Sequence, residues 1–118
     1  MSGKLLIGTV GLPRSGKSTW CQTMIKRGFA VVNPDSIRLA LTGQRFYGPA
    51  EPTVWATAKL MVNSLFIAGH DVVVLDATNT QEERRREWLS KDFSTRWVTF
   101  PTPIEVCRQR AKIGRAHV

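Results

Sequence analysis

The chain has little cysteine and little negative charge, and it has no long hydrophobic run. Two cysteines in 118 residues, Cys21 and Cys107, are too few for a disulfide framework, so we expect a reducing, cytoplasmic environment. The most apolar stretch, residues 60–75, contains His70 and Asp71 and is shorter than the roughly 20 apolar residues of a membrane-spanning helix. No membrane partner is therefore expected.

Positive charge is abundant. Seventeen Lys and Arg residues against nine Asp and Glu give a net charge of +8 at pH 7. Such an excess favours an anionic partner, for example a nucleotide, a nucleic acid or another phosphorylated molecule. A basic, solvated surface explains the composition equally well, so charge alone identifies no ligand.

Strand-like and helix-like segments alternate along the chain. Apolar runs predict strands at residues 4–10, 29–32, 72–75 and 95–100, and helices are predicted at 18–27, 36–41, 52–68 and 80–91 and from 102 onward. Four consecutive aliphatic residues at 72–75 are typical of a strand buried on both faces. The sequence therefore predicts an α/β fold, with a parallel sheet flanked by helices in three layers.

Capping residues indicate where three of these helices begin. Asp35 is predicted to cap the helix that follows it. Thr80 with Glu83, and Thr102 with Glu105, have the spacing of capping boxes.

A phosphate-binding loop lies between the first strand and the first helix. The segment Gly11-Leu12-Pro13-Arg14-Ser15-Gly16-Lys17-Ser18 matches G-x-x-x-x-G-K-[ST], and Thr19 follows it. In such a loop backbone N–H groups surround phosphate oxygens, the lysine reaches the β- and γ-phosphates, and the hydroxyl binds Mg²⁺. Nucleotide contacts are therefore predicted at Gly11, Pro13, Arg14, Ser15, Gly16, Lys17, Ser18 and Thr19, with Ser18 as the metal ligand.

The third strand ends in an acidic residue, Asp76, as a Walker B strand does. Ala77 follows it, where water-activating motor ATPases usually carry glutamate, and no Asn-Lys-x-Asp guanine-reading motif is present. Both observations favour phosphoryl transfer over a motor or a GTPase.

A second group of polar residues is placed to meet an acceptor. Asp35 follows the second strand, where a carboxylate can take the proton of an attacking hydroxyl, and Arg38, one turn later, can hold an acceptor phosphate. Alternatively, Asp35 only caps its helix and pairs with Arg38. Asp76, Thr78 and Asn79 are predicted to line the same edge as Lys17 and Asp35 and to bind the acceptor, or else to serve only turn and capping roles.

Three consecutive arginines, Arg84 to Arg86, follow in the predicted helix at 80–91. They form either a solvated helix face or, in part, a contact with an acidic ligand.

In this order and spacing the motifs resemble those of a known family. The phosphate loop, then Asn-x-Asp-x-x-Arg at 33–38, then Asp-x-Thr-Asn at 76–79 with a following Glu-Arg-Arg, resembles the P-loop kinase domain of phage-type polynucleotide 5′-hydroxyl kinases, over residues 5–110. The resemblance implies ATP as donor, Mg²⁺, Asp35 as general base, Lys17 and Arg110 as further catalytic residues and Arg38 on an acceptor phosphate. Pro34 departs from the family, which often carries a polar or basic residue there.

The expected activity is thus transfer of the γ-phosphate of ATP to a hydroxyl, with a nucleic-acid 5′-end favoured as acceptor. A small-molecule or tRNA-linked hydroxyl, and an ATP-binding module without transfer, remain as alternatives. We expect a kinase domain at residues 1–111 that lacks its last strand. Residues 112–118 are interpreted as non-native, because a run in common sequencing adapters encodes Ile113–Val118.

Overall fold

The computed structural model describes residues 3–12, 15–44, 48–100 and 109. Within them the elements are β1 Leu5–Val10, α1 Lys17–Lys26, β2 Ala30–Val32, α2 Pro34–Thr42, a 3₁₀ turn Gly48–Ala50, α3 Glu51–Ile67, β3 Val72–Leu75, α4 Glu82–Arg86 and β4 Ser94–Thr99. The expected α/β class is confirmed, because helices flank a four-stranded sheet. The helix predicted from residue 102 lies outside the described residues.

All four strands run parallel, in the order β2-β3-β1-β4. Strand β1 lies between β3 and β4, with Leu5 opposite Val72 on one side and Gly8 opposite Trp97 on the other. Strands β1 and β2, which are consecutive in the chain, do not pair. The carboxyl ends of β1, β2 and β3 therefore meet at one edge of the sheet, the usual ligand-binding edge of open α/β folds.

Strand β3 is buried on both faces, as its four aliphatic residues predict. Val73, Val74 and Leu75 are each fully buried. Val73 and Leu75 join the core that contains α3, whereas Val74 packs with Cys21 and Met24 of α1 on the other side. Residues two apart in a strand share a face, so this division places helices on both sides of the sheet.

Helix α3 provides much of the larger core. Its buried side chains recur every four residues, at Val54, Ala58, Val62 and Phe66. They pack with Trp88 and Phe93 from the segment that leads into β4, among others. The apolar spacing predicts a face of Val54, Ala58, Met61, Val62 and Leu65; of these, Met61 is 40% exposed and lies off the buried face.

The start of α2 differs from the prediction. Asn33, not Asp35, is the N-cap: its side-chain oxygen accepts from the N–H groups of Asp35 at 2.8 Å and Ser36 at 3.4 Å. Pro34 occupies the first helical turn, where its missing N–H costs nothing, so the cap falls one residue before it. The Asp35 carboxylate is therefore not used in capping.

Helix α4 is also shorter than predicted. It begins at Glu82 with no side-chain cap, so the expected capping box of Thr80 and Glu83 is wrong, and it ends at Arg86 instead of Lys91. Trp88 explains the early end: the residue is 2% exposed, and its carbonyl accepts from Thr95 of β4 at 3.1 Å. The chain must leave the helix for this indole to enter the core.

Candidate active site

Three loops meet at the carboxyl edge of the sheet and form the candidate site. The N–H of Gly11, which opens the phosphate loop, donates to the carbonyl of Thr78 at 2.9 Å. The N–H of Asp76 donates to the carbonyl of Val32, the last residue of β2, at 2.9 Å. These bonds tie the phosphate loop, the loop after β3 and the start of α2 to one another.

The described part of the phosphate loop has the tight geometry that its glycines permit. Gly16 has a φ of 97°, in the left-handed region that favours glycine, and it caps α1. A side chain at Gly11 would come within 2.9 Å of the Ser15 hydroxyl oxygen and 3.0 Å of Phe100. Pro13 and Arg14 lie outside the described residues. The fold thus leads a glycine loop directly into the N-terminus of a ten-residue helix, where N–H groups and the helix dipole favour phosphate.

The buried residues Lys17 and Cys21 form a cluster with the half-buried Asp76 behind this loop. Lys17 is only 8% exposed, although lysine is rarely buried without a partner. Burial raises the pKa of Asp76, and the neighbouring Lys17 and a hydrogen bond from the Cys21 thiol partly oppose that rise. The pKa of Cys21 is raised to about 12 by burial and by the Asp76 charge. No sequence motif points to Cys21, although its place four residues after Lys17 puts both on one helix face.

Asn33 links Asp76 to the acceptor side of the site. While its oxygen caps α2, its side-chain nitrogen donates to Asp76 Oδ2 at 3.3 Å. Asp35 follows, with 73% of its side chain exposed. A cavity of about 70 Å³ lies here, with Asp35, Arg38 and Asp76 among its lining residues. We call it the inner cavity.

Arg38 is held by two carboxylates. Its Nη1 lies 2.6 Å from Asp35 Oδ1, and its Nε and Nη2 each donate to the Glu51 carboxylate at 2.7 Å. These hydrogen bonds raise the pKa of Arg38 and lower that of Glu51. They use three of the five N–H groups of the guanidinium, so two remain for an acceptor phosphate. Glu51 was not identified from the sequence, since it lies 13 residues beyond Arg38 and belongs to no motif.

The two other predicted acceptor residues differ in their surroundings. Thr78 lines the inner cavity. Asn79 is only 2% exposed, has a φ of 48°, and donates from its side chain to the carbonyl of Thr9 in β1 at 3.0 Å. The Asn79 side chain thus holds the loop after β3 against the sheet. This is the turn role that the sequence offers as the alternative to acceptor binding.

The three consecutive arginines have three different environments. Arg85 donates to the carbonyls of Asn79 and Thr80, at 2.9 and 3.0 Å, and so fixes the loop after β3. Arg86 is 68% exposed and pairs with Glu82. Arg84 instead places its guanidinium 4.1 Å from the centre of the Trp55 ring, beside Arg38.

Residues that can hold Mg²⁺ and ATP are present at this edge. The exposed Ser18 hydroxyl and the Asp76 carboxylate are oxygen ligands, which suit a hard cation. Within the described ranges no cluster of three or more His, Cys, Asp or Glu could hold a metal. Mg²⁺ commonly takes one or two protein ligands together with substrate phosphates. Arg110 lies outside the described residues. Among those described, no helix is long and apolar enough to cross a membrane.

Comparison with known proteins establishes the family. The AAA domain model named AAA_33 matches residues 6–117, nearly the whole chain. The chain belongs to this family. It is a P-loop kinase-like domain, and no curated protein sequence matches it.

Solved structures of two other proteins share the fold of this P-loop domain. A chain of the Pnkp1/Rnl/Hen1 complex is similar with a TM-score of 0.81 and 26% identity, over 91% of this chain and 38% of that one. The chain thus spans well under half the length of that relative. APS kinase CysC of Mycobacterium tuberculosis, solved with AMPPNP and APS, has a TM-score of 0.67 and 19% identity, over 97% of this chain and 72% of that one.

Proposed function

We propose that this domain transfers the γ-phosphate of ATP to the 5′-hydroxyl of a polynucleotide. The observation that carries the proposal is the placement of Asp35. Its exposed carboxylate lies 2.6 Å from Arg38, at the same sheet edge as the buried Lys17 and the half-buried Asp76. A base and a phosphate-binding cation thus stand beside a phosphate loop, which is the arrangement that phosphoryl transfer to a hydroxyl requires.

On the donor side, the chain's own groups bind and orient the triphosphate. The N–H groups of Gly16, Lys17 and Ser18, where α1 begins, would surround its oxygens, and Lys17 supplies positive charge at the β- and γ-phosphates. Ser18 and Asp76 would hold Mg²⁺, which when bound neutralises charge on the phosphates. Phosphoryl transfer needs positioning and electrostatic stabilisation more than covalent help, and these residues supply both.

On the acceptor side, Asp35 and Arg38 divide the work. The hydroxyl oxygen forms a bond to the γ-phosphorus while the bond from that phosphorus to the leaving oxygen of ADP breaks. The hydroxyl proton passes to the Asp35 carboxylate, which is unused in capping and open to solvent. Arg38, fixed by Glu51, holds the acceptor phosphate so that the hydroxyl meets Asp35.

Three observations support a polynucleotide as the acceptor. The order and spacing of the motifs resemble those of polynucleotide 5′-hydroxyl kinases, and the chain carries a net charge of +8. The two N–H groups left on Arg38 suit a phosphate close to the reacting hydroxyl.

Transfer of label from γ-labelled ATP to a 5′-hydroxyl oligonucleotide tests the proposal. The chain is incubated with Mg²⁺ beside Asp35→Asn and Ser36→Ala, which alter neighbouring exposed positions of α2. We expect at least a hundredfold slower transfer for Asp35→Asn, since a general base typically contributes 10²- to 10⁴-fold. Ser36→Ala should stay close to wild type.

ATP affinity, measured on the same samples by titration, separates chemistry from folding. Asp35→Asn should bind ATP normally. Full transfer activity in that variant would exclude Asp35 as the base. ATP binding by the wild-type chain without transfer to the oligonucleotide would reject the polynucleotide acceptor, and small hydroxyl compounds would be assayed next.

A further inference from the structure

A second cavity adjoins the acceptor site. It has a volume of about 220 Å³ and shares Arg38, Trp55 and Thr78 with the inner cavity. Its remaining lining comes from the loop after β3 and from Glu51 and Arg84. We call it the outer cavity. Because the same three residues line both cavities, the two lie side by side, and we refer to them together as the groove.

Trp55 is the common platform of this groove. Its ring lies 4.1 Å from the guanidinium carbon of Arg84 and 5.7 Å from that of Arg38. Trp88 packs edge-on against Trp55 with ring centres 6.5 Å apart, and this contact fixes the platform to the core. Stacking on an indole preorganises the planar guanidinium while leaving its N–H edge available for an acceptor such as phosphate.

The carboxylates around the two arginines differ in how firmly they bind. Glu51 holds Arg38 through two hydrogen bonds, is 22% exposed, and also feels the charge of Arg84. Glu87 pairs with Arg84 at 3.0 Å, but this pair is 36% and 43% exposed. Exposed pairs of this kind contribute little to stability, so a phosphate can displace Glu87 at little cost. Glu51, by contrast, stays in place as the counter-charge that positions the guanidinium groups.

We propose that Arg84, stacked on Trp55, binds the second phosphate of the acceptor strand, next to the phosphate held by Arg38. This proposal rests on the polynucleotide kinase function. Two guanidinium groups on one indole lie along a short stretch of the groove, as consecutive phosphates lie along a single strand. The acceptor recognised best is then a strand with at least two phosphodiester linkages after its 5′-hydroxyl, and a mononucleotide fills only the inner cavity.

The test uses two 5′-hydroxyl trinucleotides of one sequence. One has two ordinary linkages, and the other has a neutral methylphosphonate at the second linkage. In the wild-type chain the neutral linkage should raise KM about tenfold and leave kcat unchanged. Arg84→Gln should show the same rise in KM with the fully charged strand, and the neutral linkage should then add less than twofold.

Salt dependence gives a second readout that a purely structural role of Arg84 would not change. Loss of one phosphate contact should reduce the slope of log KM against log salt by about 0.7 for a single strand. Arg84→Lys, which keeps the charge, should retain most of the slope. Arg86→Gln is the matched control, because Arg86 lies on the same helix but is 68% exposed and pairs with Glu82. It should behave as wild type.

The outcomes separate this subsite from the function on which it rests. Suppose that the neutral linkage raises KM by the same factor in the wild-type chain and in Arg84→Gln while transfer stays intact. That result would overturn the subsite but not the kinase function. A matching effect in Arg86→Gln would also overturn it, since general surface charge would then explain the result. ATP binding with no transfer to either trinucleotide would overturn both proposals.

Discussion

A single amide, that of Asn33, connects the two halves of the site. Its oxygen caps α2, which carries Asp35 and Arg38, and its nitrogen donates to Asp76 at 3.3 Å on the nucleotide side. No other residue type offers an acceptor and a donor of this shape except glutamine, which is one carbon longer. The Asn33 side chain therefore links Asp35, the proposed base, to the Asp76 carboxylate on the nucleotide side.

Shortening this side chain should separate its two roles. Asn33→Ser keeps a capping oxygen but does not reach Asp76, whereas Asn33→Ala loses both contacts. We expect Asn33→Ala to have a free energy of unfolding about 1 kcal/mol below that of Asn33→Ser, because a lost N-cap costs about that much. Urea unfolding followed by circular dichroism measures the difference. Equal stabilities would show that the cap contributes nothing.

Cys21 should be chemically inert in the folded chain. Its thiol is buried and its pKa is raised to about 12, so the reactive thiolate is scarce at pH 8. In a Cys107→Ser chain, iodoacetamide at pH 8 should leave Cys21 unmodified until urea unfolds the protein, as mass spectrometry would report. Modification at the same rate before and after unfolding would contradict this burial. The double variant Cys21→Ser, Cys107→Ser contains no cysteine and gives the background level of modification.

At the scale of elements, α2 and α3 are joined by the Arg38–Glu51 pair. Its side chains are 12% and 22% exposed, so water screens it little. Because the pKa of Glu51 is lowered in the folded chain, the pair's contribution is fully present above the ordinary value of 4.5 and is lost as pH falls through the lower folded value.

Glu51→Gln should therefore destabilise the chain in a pH-dependent way. At pH 7 we expect a loss of about 2 kcal/mol in the free energy of unfolding, since a charge-assisted hydrogen-bonded pair is broken. The difference from wild type should shrink as pH is lowered below 4.5. Glu82→Gln removes an exposed pair and should cost less than half as much. A Glu51→Gln effect that is constant from pH 7 to pH 3 would refute this linkage.

The sequence predicted the order and type of the elements because their signals are local. Apolar runs and the glycine loop motif act within a few residues. The end of α4 was mispredicted because the burial of Trp88 is a tertiary contact. The different environments of Arg84, Arg85 and Arg86 were equally hidden, since one residue type stands at all three positions and only the packing of Trp55 distinguishes them.

At the scale of the whole molecule, ligand binding and stability are linked. Mg²⁺ and ATP at about 100 times their Kd should stabilise the folded chain by about 2.7 kcal/mol. For a domain of this size the melting temperature should rise by roughly 10 °C. Lys17→Ala should abolish the rise, and Lys26→Ala, at the far end of α1, should preserve it. An undiminished rise in Lys17→Ala, seen by differential scanning fluorimetry, would remove Lys17 from the nucleotide site.

The strand order has a consequence for how the chain is made. Strands β1 and β2 emerge first from the ribosome, yet neither pairs with the other, and both wait for β3, whose first residue, Val72, pairs with Leu5. No sheet hydrogen bond of the described fold can form until synthesis has passed Val72. Contacts of such long range slow folding. The glycine loop therefore acquires its supporting strand late, so a nascent chain shorter than about 75 residues should not retain nucleotide.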